Sequence, residues 1–200
     1  MTDEPEFRPA TAEDAPVLAQ KIREVSPDVV DTLLRGLLPG IGVENILSMA
    51  LRDESSHYSF RNCVLSEVDG ALAGLLFAYP AELQGIPNLM EHMVPSSRLE
   101  PLRELLTISE PGSLYVNTLW VAEDFRGQGM ADALIEYARF WAGSLECSAV
   151  SLFCWRDNAR AVSFYRRQGF RPVRELVAKP PLTEKHDRGD LYVLPVADPS

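Results

Sequence analysis

The stretch that most constrains this chain is Leu119-Trp120-Val121-Ala122-Glu123-Asp124-Phe125-Arg126-Gly127-Gln128-Gly129-Met130-Ala131. An apolar, β-prone run ends, a short acidic connection follows, and Arg-Gly-Gln-Gly-Met-Ala opens a segment with apolar residues at helical spacing. Those residues are Met130, Ala131, Leu134, Ile135, Ala138, Trp141, Ala142 and Leu145. The pattern is strand, glycine-bearing turn, helix. Such a junction aims several backbone N–H groups, and the positive end of a helix dipole, at one place. An anionic group belongs there, most naturally a phosphate. Gly127 and Gly129 permit close backbone approach, and the amides of Gly127, Gln128, Gly129, Met130, Ala131 and Asp132 form a nest able to hold a diphosphate. Arg126 either adds a charge-assisted contact or sits in solvent. Two competing nucleotide patterns are missing, G-x-x-x-x-G-K-[ST] and G-x-G-x-x-G. Taken alone, Gly-x-Gly between strand and helix also fits an ordinary tight turn.

Helical and strand-like segments alternate around this junction, so 200 residues are expected to form one domain with an α/β or α+β fold. Phe7-Arg8-Pro9-Ala10 reads as a first edge strand, and Thr11-Ala12-Glu13-Asp14 as a capping box. The helix behind it has Ala15, Leu18, Ala19 and Ile22 as its apolar face. Ser26-Pro27 restarts a helix with the stripe Val30, Leu33, Leu34 and Leu37, ended by Pro39-Gly40. A third short helix carries Ile46, Leu47, Ala50 and Leu51. These helices, over 11–52, are expected as a cover rather than a separate module. Residues 62–68, Asp69-Gly70 and 71–79 spell a hairpin with a type I′ turn, whose apolar second arm suits a strand covered on both faces. Residues 81–109 are irregular with two short helical pieces, the kind of segment that often carries substrate contacts. Ser113–Val121 feeds the glycine turn, and 148–155 is a strand one helix later, as a right-handed parallel βαβ unit requires. A helix from Arg156-Asp157-Asn158 through Gln168 stops at Gly169. Strands over 170–177 and 191–196 close a core sheet built from 60–80 and 113–196, with 180–189 as the loop between them.

The formal net charge of −10, from 19 basic and 29 acidic residues, argues against a nucleic-acid surface and is compatible with a cationic or amine substrate. Cys63, Cys147 and Cys154 have no metal-ligand spacing and are expected as small buried residues in a reducing compartment. Met1-Thr2-Asp3-Glu4-Pro5-Glu6 is acidic where a signal peptide is basic and then apolar. No apolar run reaches the ~18 residues of a membrane span. The expectation is a cytoplasmic protein with neither membrane nor metal partner, as a monomer or homodimer.

A second constellation follows the strand at 148–155. Asn158-x-x-Ala161-x-x-Phe164-Tyr165-x-x-x-Gly169-Phe170 resembles motif B of the GNAT superfamily of acyl-CoA-dependent N-acyltransferases. Arg126-x-x-Gly129-x-Ala131 resembles that family's motif A, Arg/Gln-x-x-Gly-x-Gly/Ala, with Ala131 an allowed variant. The resemblance is tight over 113–171 and looser before it, where only the order of helices and hairpin matches. It implies a mixed, mostly antiparallel sheet with splayed parallel strands 4 and 5, flanked by helices, and acetyl-CoA wedged into the opening. The arm of coenzyme A is then expected beside Leu119, Trp120 and Val121, its diphosphate on the amides from Gly127 to Asp132, and Asn158 on the arm. Tyr165 is implied near the thioester sulfur as the acid that protonates the departing thiolate. Judged on the residues alone, Tyr165 also fits a packed aromatic beside Phe164.

The implied reaction is transfer of an acetyl group to a primary amine of a small molecule or amino acid. The amine must lose a proton before it attacks, and the oxyanion that forms needs a preorganised donor such as a backbone N–H. Tyr115-Val116-Asn117-Thr118 offers no carboxylate where some family members carry a glutamate base, although Asn117 and Thr118 are able to orient a water. Glu82, Glu91, His92 and Glu110 lie in segments able to rim an acceptor cleft, but each reads first as a solvated surface residue. His57 and His186 show no partner pattern and take no role, and Trp120 and Trp155 read as packing residues. Two alternatives stay open. One is acetylation of a protein N-terminus or lysine, and the other is a non-catalytic acyl-CoA-binding module.

Overall fold

The computed structural model describes residues 4–196, so the Met1-Thr2-Asp3 part of the acidic start lies outside the described residues. Among the described residues, seven strands form a mixed sheet: β1 (Glu6–Pro9), β2 (Cys63–Val68), β3 (Ala71–Pro80), β4 (Ser113–Val121), β5 (Ala149–Trp155), β6 (Arg171–Val177) and β7 (Arg188–Pro195). Their order is β1-β2-β3-β4-β5-β7-β6. The ladder between β4 and β5 is parallel and pairs Ser113–Val116 with Ala149–Leu152. The pairs β1–β2, β2–β3, β5–β7 and β6–β7 are antiparallel. This is the helix-flanked mixed sheet that the resemblance implied. The chain divides into two compact units, Met1–Ala78 with Asn117–Ala138, and Tyr79–Val116 with Arg139–Ser200.

In the first unit, α1 (Ala15–Val25), α2 (Pro27–Leu34) and α3 (Val43–Leu51) accompany β1, β2 and β3. The capping box forms as read: the Asp14 carboxylate accepts the Thr11 N–H at 2.7 Å. The same carboxylate takes two bonds from Arg8, at 2.9 and 3.0 Å, while Arg8 Nε reaches Glu67 at 2.8 Å. One guanidinium thus ties β1 to both its partner strand and the following helix. Ala15, Leu18, Ala19 and Ile22 are buried, as their spacing required. The second helix is shorter than the stripe suggested. It ends at Leu34, where Arg35 turns extended (ψ 119°), and Leu37 lies in a turn. The hairpin turn is as read, with Asp69 at φ 52° and Gly70 at φ 74°, the two positive angles a type I′ turn needs. Residues 73–79 of β3 are buried without a break, as expected of a strand covered on both faces.

The second unit holds three short helices where two were expected: α4 (Asn88–Met93), α5 (Ser96–Leu99) and α6 (Arg103–Thr107). Pro87, Pro95 and Pro101 interrupt this stretch, and each removes a backbone donor. Glu82 fastens the segment to the start of β4 by accepting the Gly112 N–H at 2.8 Å. Strand β7 begins at Arg188, three residues before the expected 191, because its polar start is neutralised in place. Asp190, buried, receives Arg156 in a bidentate pair at 2.6 and 2.7 Å, so a carboxylate can sit in the ladder opposite Cys154. At the sheet edge β6 is exposed along most of its length. Pro172, which has no N–H, and a register shift between Pro172 and Arg174 protect that edge from further pairing.

Candidate functional site

The glycine junction is built on the first unit. β4 ends at Val121, a 3₁₀ turn spans Glu123–Phe125, and α7 (Met130–Ser144) begins at the fourth residue of Arg-Gly-Gln-Gly-Met-Ala. Gly127 (φ 77°) and Gly129 (φ 88°) take left-handed backbone angles that a side chain resists, and a Cβ on either would meet no atom within 4 Å. The backbone here faces open space. Ala133 N–H bonds back to Gly129 O at 3.0 Å. The amides ahead of it belong to the first turn of α7, where a helix has no preceding carbonyl to offer them. Arg126 is exposed, and its Nε donates to Val121 O at 3.2 Å, bracing the end of the strand. Gln128 braces it from the other side, Nε2 to Asp124 O at 2.5 Å. Met130 is buried, with Ser66 Oγ 3.3 Å from its sulfur, so only its backbone is presented outward. Ala131 is half-buried and Asp132 exposed.

On β4, Leu119 and Val121 are half-buried and Trp120 is buried, with the Lys21 ammonium 4.5 Å from its ring centroid. That arrangement agrees with the packing role read for Trp120. Thr118 Oγ1 donates to Asn117 Oδ1 at 3.1 Å, and neither brings a carboxylate.

The second unit carries the other residues. Asn158 caps α8 (Ala159–Arg167), its Oδ1 accepting the Ala161 N–H at 3.2 Å. Tyr165, half-buried, meets Phe170 edge-on at 5.6 Å and Phe164 at 5.4 Å, and burial pushes its phenol well above the ordinary tyrosine range. Cys154 is close enough to add to that shift, and its own thiol is pushed up to about 12 by burial. Cys63 is buried and Cys147 half-buried, with both thiols pushed up by burial. Glu82 is committed to Gly112, an interaction that holds its carboxyl low, and Glu91 pairs with Arg103 at 2.9 Å. His92 Nδ1 lies 2.6 Å from Asn88 O within its own short helix, and Glu110 gives its carbonyl to Ser113 Oγ at 2.6 Å.

One group escaped the sequence reading. His186 does have a partner: its Nδ1 lies 3.0 Å from a carboxylate oxygen of Asp157, and its ring stacks on Trp155. The residues are 29 apart in the chain, with no periodicity linking a loop histidine to the turn ahead of α8. Only pairing of β5 with β7 brings them together. Among the described residues no group of three or more His, Cys, Asp and Glu side chains is arranged to hold a metal ion. No helix of the described residues is long and apolar enough to cross a membrane.

The GCN5-related N-acetyltransferase 4, chloroplastic, of Arabidopsis thaliana is 38% identical over 77 residues, which are 38% of this chain and 25% of that protein. The match thus spans about a quarter of that relative's length. Among solved structures, an N-acetyltransferase from Staphylococcus aureus is similar with a TM-score of 0.69 at 19% identity, over 94% of this chain and 100% of that one. Arabidopsis thaliana NAA60 in complex with acetyl-CoA is similar with a TM-score of 0.59 at 22% identity, over 96% of this chain and 100% of that one. At these identities the structural likeness is one of fold. The family model described as "Acetyltransferase (GNAT) family" matches residues 41–170, well over half of the 200, and the chain belongs to that family.

Proposed function

We propose that this protein is an N-acetyltransferase that moves an acetyl group from acetyl-CoA to a primary amine of a small molecule or amino acid. The observation that carries the reading is the turn ahead of α7, where two left-handed glycines stand with open space where side chains would be. A diphosphate needs convergent N–H donors and close backbone approach, and the open space at the two glycines supports the second. Membership of the family supports the reaction class, and the acetyl-CoA in the NAA60 structure supports the donor. We assign the diphosphate to the amides of Gly127, Gln128, Gly129, Met130, Ala131 and Asp132, with Arg126 beside them. The arm of the donor is assigned to the backbone of Leu119, Trp120 and Val121 and to Asn158.

Bound acetyl-CoA supplies an acyl carbon activated as a thioester. The chain's own part in the chemistry is proton management. A tyrosine phenol is protonated at neutral pH and burial shifts Tyr165 further in that direction, so its Oη carries a proton to give to the departing sulfur. The reading takes the whole chain as one acetyltransferase domain that works without a metal.

The test is to incubate the full chain with acetyl-CoA and each of three probes: a free amino acid, a diamine and a short peptide with a free N-terminus. Free thiol is followed as the product. Release with the amino acid or the diamine is the expected result. Release with the peptide alone moves the acceptor to a protein. Calorimetric binding of acetyl-CoA with no release from any probe assigns a non-catalytic acyl-CoA-binding role instead.

A further inference from the structure

The turn after β5 holds a group of side chains that the transfer reading leaves unused. The two carboxylate oxygens of Asp157 lie 3.1 and 3.0 Å from His186 Nδ1. The imidazole lies flat on Trp155, ring centroids 4.6 Å apart and planes 3° from parallel. Trp155 in turn stands edge-on to Phe153 at 4.8 Å, and the His186 side chain is 14% exposed. A ring clamped by a carboxylate at one nitrogen and an indole on one face has a single orientation. With the Nδ1 proton directed at Asp157, the lone pair of the neutral imidazole resides on Nε2.

The side of the sheet matters as much as the pair. Side chains alternate across a strand. Cys154 lies opposite Asp190 and Leu152 opposite Tyr192, so these four share one face, the face on which the Arg166 guanidinium of α8 favours the charged forms of Asp190 and Tyr192. Phe153 and Trp155 point to the opposite face with Gly189, the partner of Trp155 in β7, and His186 covers Trp155 there. Strand β5 therefore presents Tyr165 on one face and His186 on the other. A division of that kind lets the acid serve the departing sulfur from one face and the base serve the incoming nitrogen from the other. Two other candidate carboxylates are already engaged, Glu82 with Gly112 and Glu91 with Arg103, and β4 has Asn117 and Thr118 bonded to each other.

We propose that His186, positioned by Asp157, is the general base for the acceptor amine, an assignment that rests on the transfer reading above. His186 Nε2 takes one proton from the acceptor ammonium and later releases it to solvent. The amine nitrogen then forms the N–C bond as the C–S bond breaks. Tyr165 Oη gives its proton to the leaving sulfur and recovers one from the acylated nitrogen. The products are an amide and a thiol, with one proton released to solvent.

The assignment is tested on the full chain with the same three amine probes. His186→Ala is expected to lower thiol release by ~10²–10⁴-fold with acetyl-CoA affinity unchanged by calorimetry, and added imidazole to restore part of the rate. An unchanged rate overturns the assignment, and so does a loss that imidazole leaves untouched. A second measurement needs no turnover and separates this proposal from the reading beneath it. Nitrogen-15 NMR of the three histidines, with His186→Gln identifying the signal, is expected to show neutral His186 protonated at Nδ1. Asp157→Asn is expected to shift that ring toward the Nε2–H form and to lower turnover. A neutral wild-type ring already protonated at Nε2 overturns the proposal even where acetyl-CoA binds. Failure of acetyl-CoA to bind the wild-type chain overturns the transfer reading itself.

Discussion

The Phe153 ring lies against Gly189 so closely that the structure makes a quantitative demand at this position. A Cβ placed on Gly189 would stand 2.9 Å from both Cε1 and Cε2 of Phe153, and closer still to Cζ. Carbon atoms in contact prefer about 3.5–4.0 Å, so the ring must retreat by roughly 1 Å or more. Retreat is blocked on one side by Trp155, which packs edge-on against the ring. Forcing a methyl into a packed site costs about 1–3 kcal/mol, and replacing glycine recovers about 0.4–1 kcal/mol through the unfolded chain. At the middle of each range Gly189→Ala is therefore expected to lose about 1.3 kcal/mol, which for a chain of 200 residues is a fall in Tm of about 3–5 °C by calorimetric scan. The companion change Phe153→Leu removes the ring edge, and the double variant should lose less than the sum of the singles. A Tm for Gly189→Ala equal to or above that of the parent refutes the steric reasoning. Additive losses in the pair would show that Phe153 is not the obstructing group.

Further predictions concern the site and its frame. Gly129→Val puts a β-branched side chain at φ 88° in the proposed diphosphate seat, and calorimetry should show acetyl-CoA affinity falling. Unaltered affinity would refute that placement. Tyr165→Phe should lower turnover by ~10²-fold while acetyl-CoA binding changes little, and an unchanged rate would remove Tyr165 as the acid. Arg8 above all, with help from Thr11, holds the Asp14 carboxyl down at about 2 in the folded chain. Its unfolded counterpart titrates near ~3.9, so the stabilisation is complete above about pH 4 and is lost as pH falls toward 2. Chemical denaturation of Asp14→Asn and parent should therefore differ at neutral pH and converge as pH falls from about 4 to 2. A gap that holds constant across that range would rule out charge as the source of the difference.

Local rules were enough wherever neighbours in sequence decide the outcome. The Asp69-Gly70 turn, the Thr11 to Asp14 cap and the buried run of β3 depend on backbone angles and periodicity within a dozen residues. The strand–turn–helix around Gly127 and Gly129 was legible for the same reason. Errors fell where a boundary rests on a distant partner. β7 starts early because Arg156, 34 residues away, neutralises Asp190. The segment over 81–109 is held at Gly112 by Glu82, 30 residues back, a contact that no spacing announces.

The same division runs through the candidate site. The sequence by itself determined the local shape of the proposed donor side, since a glycine turn ahead of a helix and an Asn-capped helix are each short, contiguous motifs whose geometry their own residues specify. Only the tertiary structure decided that Glu82 and Glu91 are engaged and that His186 meets Asp157 on Trp155. Hydrogen bonds and ring contacts between residues 29 or 30 apart exist only after strands have paired and set their register. Register also decides which face of β5 each side chain takes, because a shift by one residue moves every side chain across the sheet.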